Sequence, residues 1–342
     1  MQKSPAEIAA IIQRLRSIHI GTPTFKALEA NLARLFQVGE DDKPSHEPVR
    51  FTAGKETHGV ILVNGPGSGK TTDILHAVAK LDALAENPET GVPRHIHVTV
   101  SSPATLRSLA CQFLEKLGID RISDRAKVHE LWATVRLRFQ RMGITLVILD
   151  EAQDMFRLTS SSETDSMCRM LKSLMQGDHL VVLLLSGTER LKEITRFDAQ
   201  VNRRFRKITP PPLDIAADSS KLRAVMDCYA RNAGLTLDIR DDDPVRLIYG
   251  GRYRLGRCIE ISILAVEEAL TAGSDMLTSE HFETAWGMEE GCPLTSNVFC
   301  VDDFMAIELE DDDEIGDRML EARARRASAV PKSQRNKKVA CS

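Results

Sequence analysis

Residues 59–75 read GVILVNGPGSGKTTDIL, and no other stretch restricts the fold as tightly. A short aliphatic run, a turn rich in glycine and a Lys-Thr pair at a helix start make a strand–loop–helix unit. In such a unit backbone N–H groups converge on one anion and the helix dipole adds to them. Gly65, Gly67 and Gly69 let the backbone wrap closely, with Pro66, Ser68 and Thr72 completing the loop and its exit. Lys70 is expected to reach the β- and γ-phosphates of a nucleotide, and the Thr71 hydroxyl to bind magnesium. The full pattern, G-x-x-x-x-G-K-[ST], asks for glycine where this chain has Asn64. Asparagine is among the non-glycine residues that best adopt positive φ, so the loop is expected to form and bind.

Around this unit the chain alternates. Apolar strand patterns at 60–63, 95–101, 144–150, 180–186 and 205–209 are separated by helical spacings at 106–117, 128–142, 163–176 and 189–196. Near-continuous apolar strands between helices imply a parallel sheet covered on both faces. Ahead of the sheet, Ile8, Ile11, Ile12 and Leu15 keep helical spacing, as do Phe25, Leu28, Leu32, Leu35 and Phe36; Gly21 and Pro23 break the pattern between them. Residues 38–57 are polar and read as a loop. After the PPPLD run the pattern becomes all-helical, at 218–233, 241–249, 257–271 and 278–288. Four regions follow: 1–57 helical, 58–212 α/β, 213–291 helical, and a tail at 292–342.

Magnesium also needs an acid at the end of a neighbouring strand, and LVILDEAQ supplies one. Asp150 suits the metal's water shell, and Glu151 suits orienting and activating a water. The next strand ends in LLLSGTERL, where Ser186 or Thr188 could sense a γ-phosphate or cap the turn that follows. In QVNRRFRKI, any of Arg203, Arg204 and Arg206 could reach a neighbouring subunit's phosphates, or form a solvated basic edge. GGRYRLGRC puts Arg254 and Arg257 at the start of a helix, within possible reach of a phosphate.

A net charge of −4 argues against a strongly basic nucleic-acid binder but leaves room for a local basic stripe. The seven cysteines are scattered and never spaced C-x-x-C, which fits free thiols in a reducing compartment. MQKSPAEIAA lacks the apolar run of a signal peptide, and no membrane-length segment appears, so a cytoplasmic protein is expected. Residues 302–317 hold nine acids and no base, and 318–342 eight bases and one acid. This composition fits a solvated tail or an arm for a partner.

Taken in order, these features resemble an AAA+ ATPase, and more narrowly the TniB/TnsC family of bacterial transposition regulators. The segments that carry the likeness are HIGTPTFKALEANL (19–32), LVILDEAQDM (146–155), LLLSGTERLKEI (183–194), NRRF (202–205) and GGRYRLGRCIEISILAVEEAL (250–270). The resemblance implies an AAA+ core with a five-stranded parallel sheet in the order 5-1-4-3-2 and a small C-terminal helical lid. It implies ATP and Mg²⁺, a homo-oligomeric ring or helical filament on double-stranded DNA, a transposase partner and a target-selecting DNA-binding or RNA-guided complex. Lys70, Thr71, Asp150 and Glu151 become the ATPase residues, Arg204 the preferred trans-acting finger and Arg254 the preferred second sensor. Ile20 and Gly21 fall where that family holds adenine. For DNA contact, position suggests Ser102, Thr105, Arg107, Lys127 and Arg157. A secretion-associated ATPase, a helicase loader or a non-hydrolysing nucleotide switch are the alternatives.

Overall fold

A computed structural model describes residues 3–309, apart from 103, 157–160 and 193–197. The described residues form two compact units: 16–212, and 3–15 together with 213–309. The first helix, α1 (Pro5–Arg16), thus belongs with the C-terminal unit rather than with a continuous 1–57 segment. It buries Ile8, Ile12 and Leu15 on one face, and Arg14 Nη2 donates to the Asn232 carbonyl at 2.5 Å.

The α/β unit starts with α2 (Pro23–Ala33), where Pro23 suits the first turn and Thr22 Oγ1 accepts from the Phe25 N–H at 2.9 Å. The polar stretch read as a loop contains an antiparallel pair, β1 (Phe36–Val38) and β2 (Pro44–Pro48). Prolines at both ends of β2 and the absence of alternation hide it from pattern reading. Then come β3 (Gly59–Val63), α3 (Lys70–Ala79), β4 (His95–Thr99), α4 (Leu106–Lys116) and α5 (Val128–Met142). They are followed by β5 (Leu146–Asp150), α6 (Ser161–Leu174), β6 (Val182–Gly187), α7 (Ala199–Arg204) and β7 (Phe205–Ile208).

The five long-range strands pair in parallel in the order β4-β5-β6-β3-β7. Counted along the chain this is 5-1-4-3-2 read from β7, the order expected. Successive side chains on a strand face opposite ways, and both faces are covered here. Ile61, Val63, Val147, Leu149, Leu183 and Leu185 pack with Phe113, Trp132 and Phe139. Val60, Leu62, Ile148, Val182 and Leu184 pack with Phe25, Leu28, Leu32, Ile74 and Val78. This double burial is why the strands read as unbroken aliphatic runs. It also brings the C-terminal ends of β3, β5 and β6 side by side, where open α/β sheets place their ligands.

The helical unit contains α8 (Ile215–Ala233), α9 (Asp243–Gly250), α10 (Leu255–Thr271) and α11 (Ser279–Glu290). A two-stranded parallel ribbon, β8 (Thr236–Asp238) with β9 (Met276–Thr278), joins them. The described part of the tail expected from 292 is held against the helices. Val298 and Phe299 are fully buried, Arg246 Nη1 donates to the carbonyls of Val298 (2.8 Å) and Val301 (2.6 Å), and the Tyr249 hydroxyl to that of Ile307 (2.6 Å). Six of the nine acids of the acidic run and all of the basic run lie outside the described residues. The six cysteines among the described residues are free thiols, and no described helix is long and apolar enough to cross a membrane.

Candidate nucleotide site

β3 ends at Val63, and the loop 64–69 carries the chain into α3. Asn64 does not adopt positive φ: among the described residues the non-glycines that do are Asp42, Thr52, Ala53, Glu151, Arg252 and Tyr253. The expected reason for tolerating Asn64 is therefore corrected. Its backbone N–H donates to the Gly187 carbonyl at 3.0 Å, and its Oδ1 accepts from the Gly65 N–H at 2.8 Å. The side chain braces the loop entrance with a bond that glycine lacks. The left-handed positions are Gly67 (φ 64°) and Gly69 (φ 83°), where a side chain would be strained. Lys70 is buried, and its Nζ donates to the carbonyls of Asn64 (3.0 Å) and Gly65 (2.9 Å), inside the curl of the loop.

Asp150 is the hub of the site. Thr71 Oγ1 donates to its Oδ2 at 2.6 Å, and Oδ1 accepts from the Glu151 N–H at 3.0 Å and from the Ser186 hydroxyl. His97 Nε2 lies 3.8 Å from Oδ2. Burial alone would raise the Asp150 pKa; the nearby His97 ring, the Ser186 and Thr71 hydroxyls and the Glu151 N–H outweigh it and hold the carboxyl well below the usual carboxylate range. An ionised carboxylate and a hydroxyl 2.6 Å apart are hard oxygen donors of the kind magnesium takes. The Ser68 hydroxyl, buried in the loop without a hydrogen-bond partner, is a donor suited to a phosphate oxygen. The residues present therefore fit a magnesium–nucleotide.

Glu151 sits at φ 53°, a left-handed conformation costly for a side chain with Cβ and frequent at functional positions. Its Oε2 accepts from Gln153 Nε2 at 2.6 Å. Ser186 is fully buried and committed to Asp150, whereas Thr188 lies past the strand end, part-exposed, with its N–H on Gln153 Oε1. Of the two sensor candidates, Thr188 is the one whose hydroxyl is not bonded to Asp150. Ile20 and Gly21 are positioned through their neighbour: His19 Nε2 lies 2.9 Å from Asp73 Oδ1 and its ring stacks on His76 at 4.2 Å, both residues being on α3.

The arginines differ most from expectation. Arg204 is 2% exposed and ion-paired with Glu56, itself buried. A guanidinium held there cannot serve a neighbouring subunit without breaking that pair, so Arg204 is a poor finger. Arg203 bonds the same carboxylate at 3.0 Å yet remains 57% exposed, and Arg206 is part-exposed on β7. In the helical unit Arg257 Nη2 bonds Glu290 Oε1 at 2.9 Å, and Arg254 is the N-cap of α10.

The suggested DNA contacts are largely spoken for locally. Thr105 caps α4, accepting from the Ser108 N–H at 3.0 Å. Arg107 holds the carbonyls of Ala126 (2.5 Å) and Ser123 (2.9 Å), and only Ser102 and Lys127 are exposed without such a side-chain task among these contacts. Arg157 lies outside the described residues. Residues that the sequence reading missed are His97, Glu56 and Gln153. Gln153 stood in view in DEAQ, but no role followed from its position.

Residues 55–195 match the model of the AAA domain family. The solved structure of the Aeropyrum pernix ORC1 protein in complex with DNA superposes with a TM-score of 0.58 at 19% identity, covering 82% of this chain and 69% of that one. The fold is the AAA+ P-loop fold. The Aeropyrum pernix ORC2 protein, in ADPNP–ADP complexes, gives 0.55 at 18% identity over 81% and 70% of the two chains. Drosophila ORC bound to DNA gives 0.50 at 15% over 86% and 70%. In sequence, the type II secretion system protein HxcR of Pseudomonas aeruginosa is 27% identical over 143 residues, 42% of this chain. That match spans a quarter of HxcR's length.

Proposed function

We propose that this chain hydrolyses ATP at the ends of β3, β5 and β6, and uses the cycle to assemble on double-stranded DNA as a regulator of transposition. One observation carries the enzymatic half: Thr71 Oγ1 on Asp150 Oδ2 at 2.6 Å, at the head of the glycine-loop helix, with Glu151 next in chain. Lys70 and the loop N–H groups would hold the β- and γ-phosphates; Thr71 and Asp150 would hold magnesium. Bound magnesium supplies neutralisation of charge on the phosphates. Glu151 orients a water and takes up its proton, a role worth about 10²–10⁴ in rate. Thr188 reads the phosphate end from the loop after β6. Arg203 or Arg206, presented by a second copy, would complete the site.

The DNA half rests on the resemblance of residues 19–32, 202–205 and 250–270 to TniB/TnsC regulators, and on the ORC structures of the same fold solved with DNA. In this reading a ring or filament marks the target, answers to a target-selecting DNA-binding or RNA-guided complex, and engages a transposase. A modest net charge suits binding in which each subunit adds a few phosphate contacts. The local match to HxcR favours a second reading, a secretion-associated ATPase. Negative-stain imaging with and without ATP and duplex DNA separates them. Rings or filaments that require both support the first; ATP-dependent assembly indifferent to DNA supports the second.

A further inference from the structure

Gln153 lies between two elements on which the proposed hydrolysis depends. It stands in the 3-10 turn Ala152–Phe156 directly after Glu151 and is 6% exposed. Its carboxamide is engaged at both ends: Nε2 donates to Glu151 Oε2 at 2.6 Å, and Oε1 accepts from the Thr188 N–H at 3.2 Å. A carboxylate only accepts and a backbone N–H only donates, so the amide has a single satisfied orientation. The flipped rotamer would set oxygen against oxygen and N–H against N–H. Space for this bridge exists because residue 187 is glycine: a Cβ there would stand 2.2 Å from Gln153 Oε1.

We infer that Gln153 is a positioning residue for ATP hydrolysis, fixing the Glu151 carboxylate relative to the loop that follows β6. The inference rests on the hydrolytic reading of the site. Glu151 leaves β5 with a left-handed backbone, which sets where its side chain starts but not where its carboxylate ends. The bond to a carboxylate oxygen at 2.6 Å is short and directional. Its other anchor is the backbone of Thr188, the residue placed to read the terminal phosphate. The group that orients water and the loop that reads phosphate are therefore joined through one amide. A displacement of Thr188 is passed to Glu151 through two hydrogen bonds.

Two nearly isosteric variants of the full-length chain test this. Q153M keeps the volume and removes both hydrogen bonds. Q153E can still accept from Thr188 but sets a second carboxylate against Glu151. ATP turnover is measured for wild type and both variants with and without duplex DNA, alongside the Kd of a fluorescent ATP analogue and a thermal melt. We expect kcat to fall about 10- to 100-fold in each, with KM and nucleotide affinity within about twofold of wild type. A residue that merely fills space would leave kcat unmoved in such variants. A kcat within about twofold of wild type, in either variant that melts like wild type, overturns the inference. Should the added carboxylate of Q153E prevent folding, Q153M decides alone. Wild-type protein that binds the analogue but never turns over ATP overturns the hydrolytic reading and this inference with it. Active wild type with unaffected variants overturns the inference only.

Discussion

Each unit of the molecule gathers two arginines around one glutamate, and the two clusters differ in what they present. In the α/β unit Glu56 holds Arg204 in the interior, 2% exposed, and Arg203 at the surface, 57% exposed. In the helical unit Glu290 takes Arg252 in a bidentate pair (2.6 and 2.9 Å) and Arg257 at 2.9 Å, with all three side chains mostly covered. The first cluster divides its arginines between a buried and an exposed position; the second ties a strained turn, where Arg252 (φ 53°) and Tyr253 (φ 57°) are left-handed in succession, and Arg257 on α10 to the end of α11 through Glu290. An arginine in a suggestive motif is thus not yet an arginine facing a phosphate. The nearest carboxylate decides.

Substitutions that break each cluster should rank accordingly. Arg204→Ala removes the buried one of the two arginines that Glu56 holds, leaving Arg203 and the Thr52 hydroxyl on the carboxylate, and should cost about 3 kcal/mol, read as a lower denaturation midpoint. The Glu56 carboxyl is held below its ordinary value, first by the Thr52 hydroxyl and, against burial, by Arg204 and Arg203. A depressed carboxyl stabilises the fold above its unfolded pKa, near 4.5, and that contribution is lost as pH falls through the folded value. The Arg204→Ala protein should therefore lose part of the wild type's acid sensitivity below that pH. Unchanged stability would mean the pair is not formed in solution.

Glu290→Gln should cost about 1.5–3 kcal/mol, the scale of hydrogen bonds to charged groups, with the loss confined to the melting of the helical unit. Arg203→Ala should cost no more than about 1 kcal/mol, as an exposed pair does. It should nonetheless lower ATP turnover in the assembled protein while sparing nucleotide affinity in the monomer. Equal loss of affinity would reject a role across subunits. Asn64→Gly is the mildest, about 0.5–1 kcal/mol from one lost hydrogen bond and added chain freedom. A marked gain in nucleotide affinity would show that glycine was needed there after all.

What could be read in advance followed from period and burial. Strands covered on both faces carry continuous aliphatic runs, so β3, β5 and β6 declared themselves, and with them Asp150 and Glu151 at the end of β5 and Lys70 and Thr71 at the head of α3. β1 and β2 did not, because β1 is only three residues long, with Phe36 in step with the helical spacing before it, and β2 is polar with a proline at each end. The association of α1 with the helical unit has no local signature either, since its apolar face is like that of α2. The roles of Glu56 and Gln153 were hidden for another reason. Their importance lies in partners, 148 residues away for Glu56 and 35 residues away for the backbone half of Gln153's bridge. Spacing along one segment carries no record of such pairings.

In the proposed function Glu151 activates water beside a nucleotide held by the loop. Single-turnover ATP hydrolysis by Glu151→Gln, measured with a parallel determination of ATP affinity, tests it most directly. Hydrolysis should slow by about 10²-fold or more, with ATP still bound and ATP-dependent assembly on DNA preserved or prolonged. Hydrolysis within a few-fold of wild type, or loss of ATP binding itself, would contradict it.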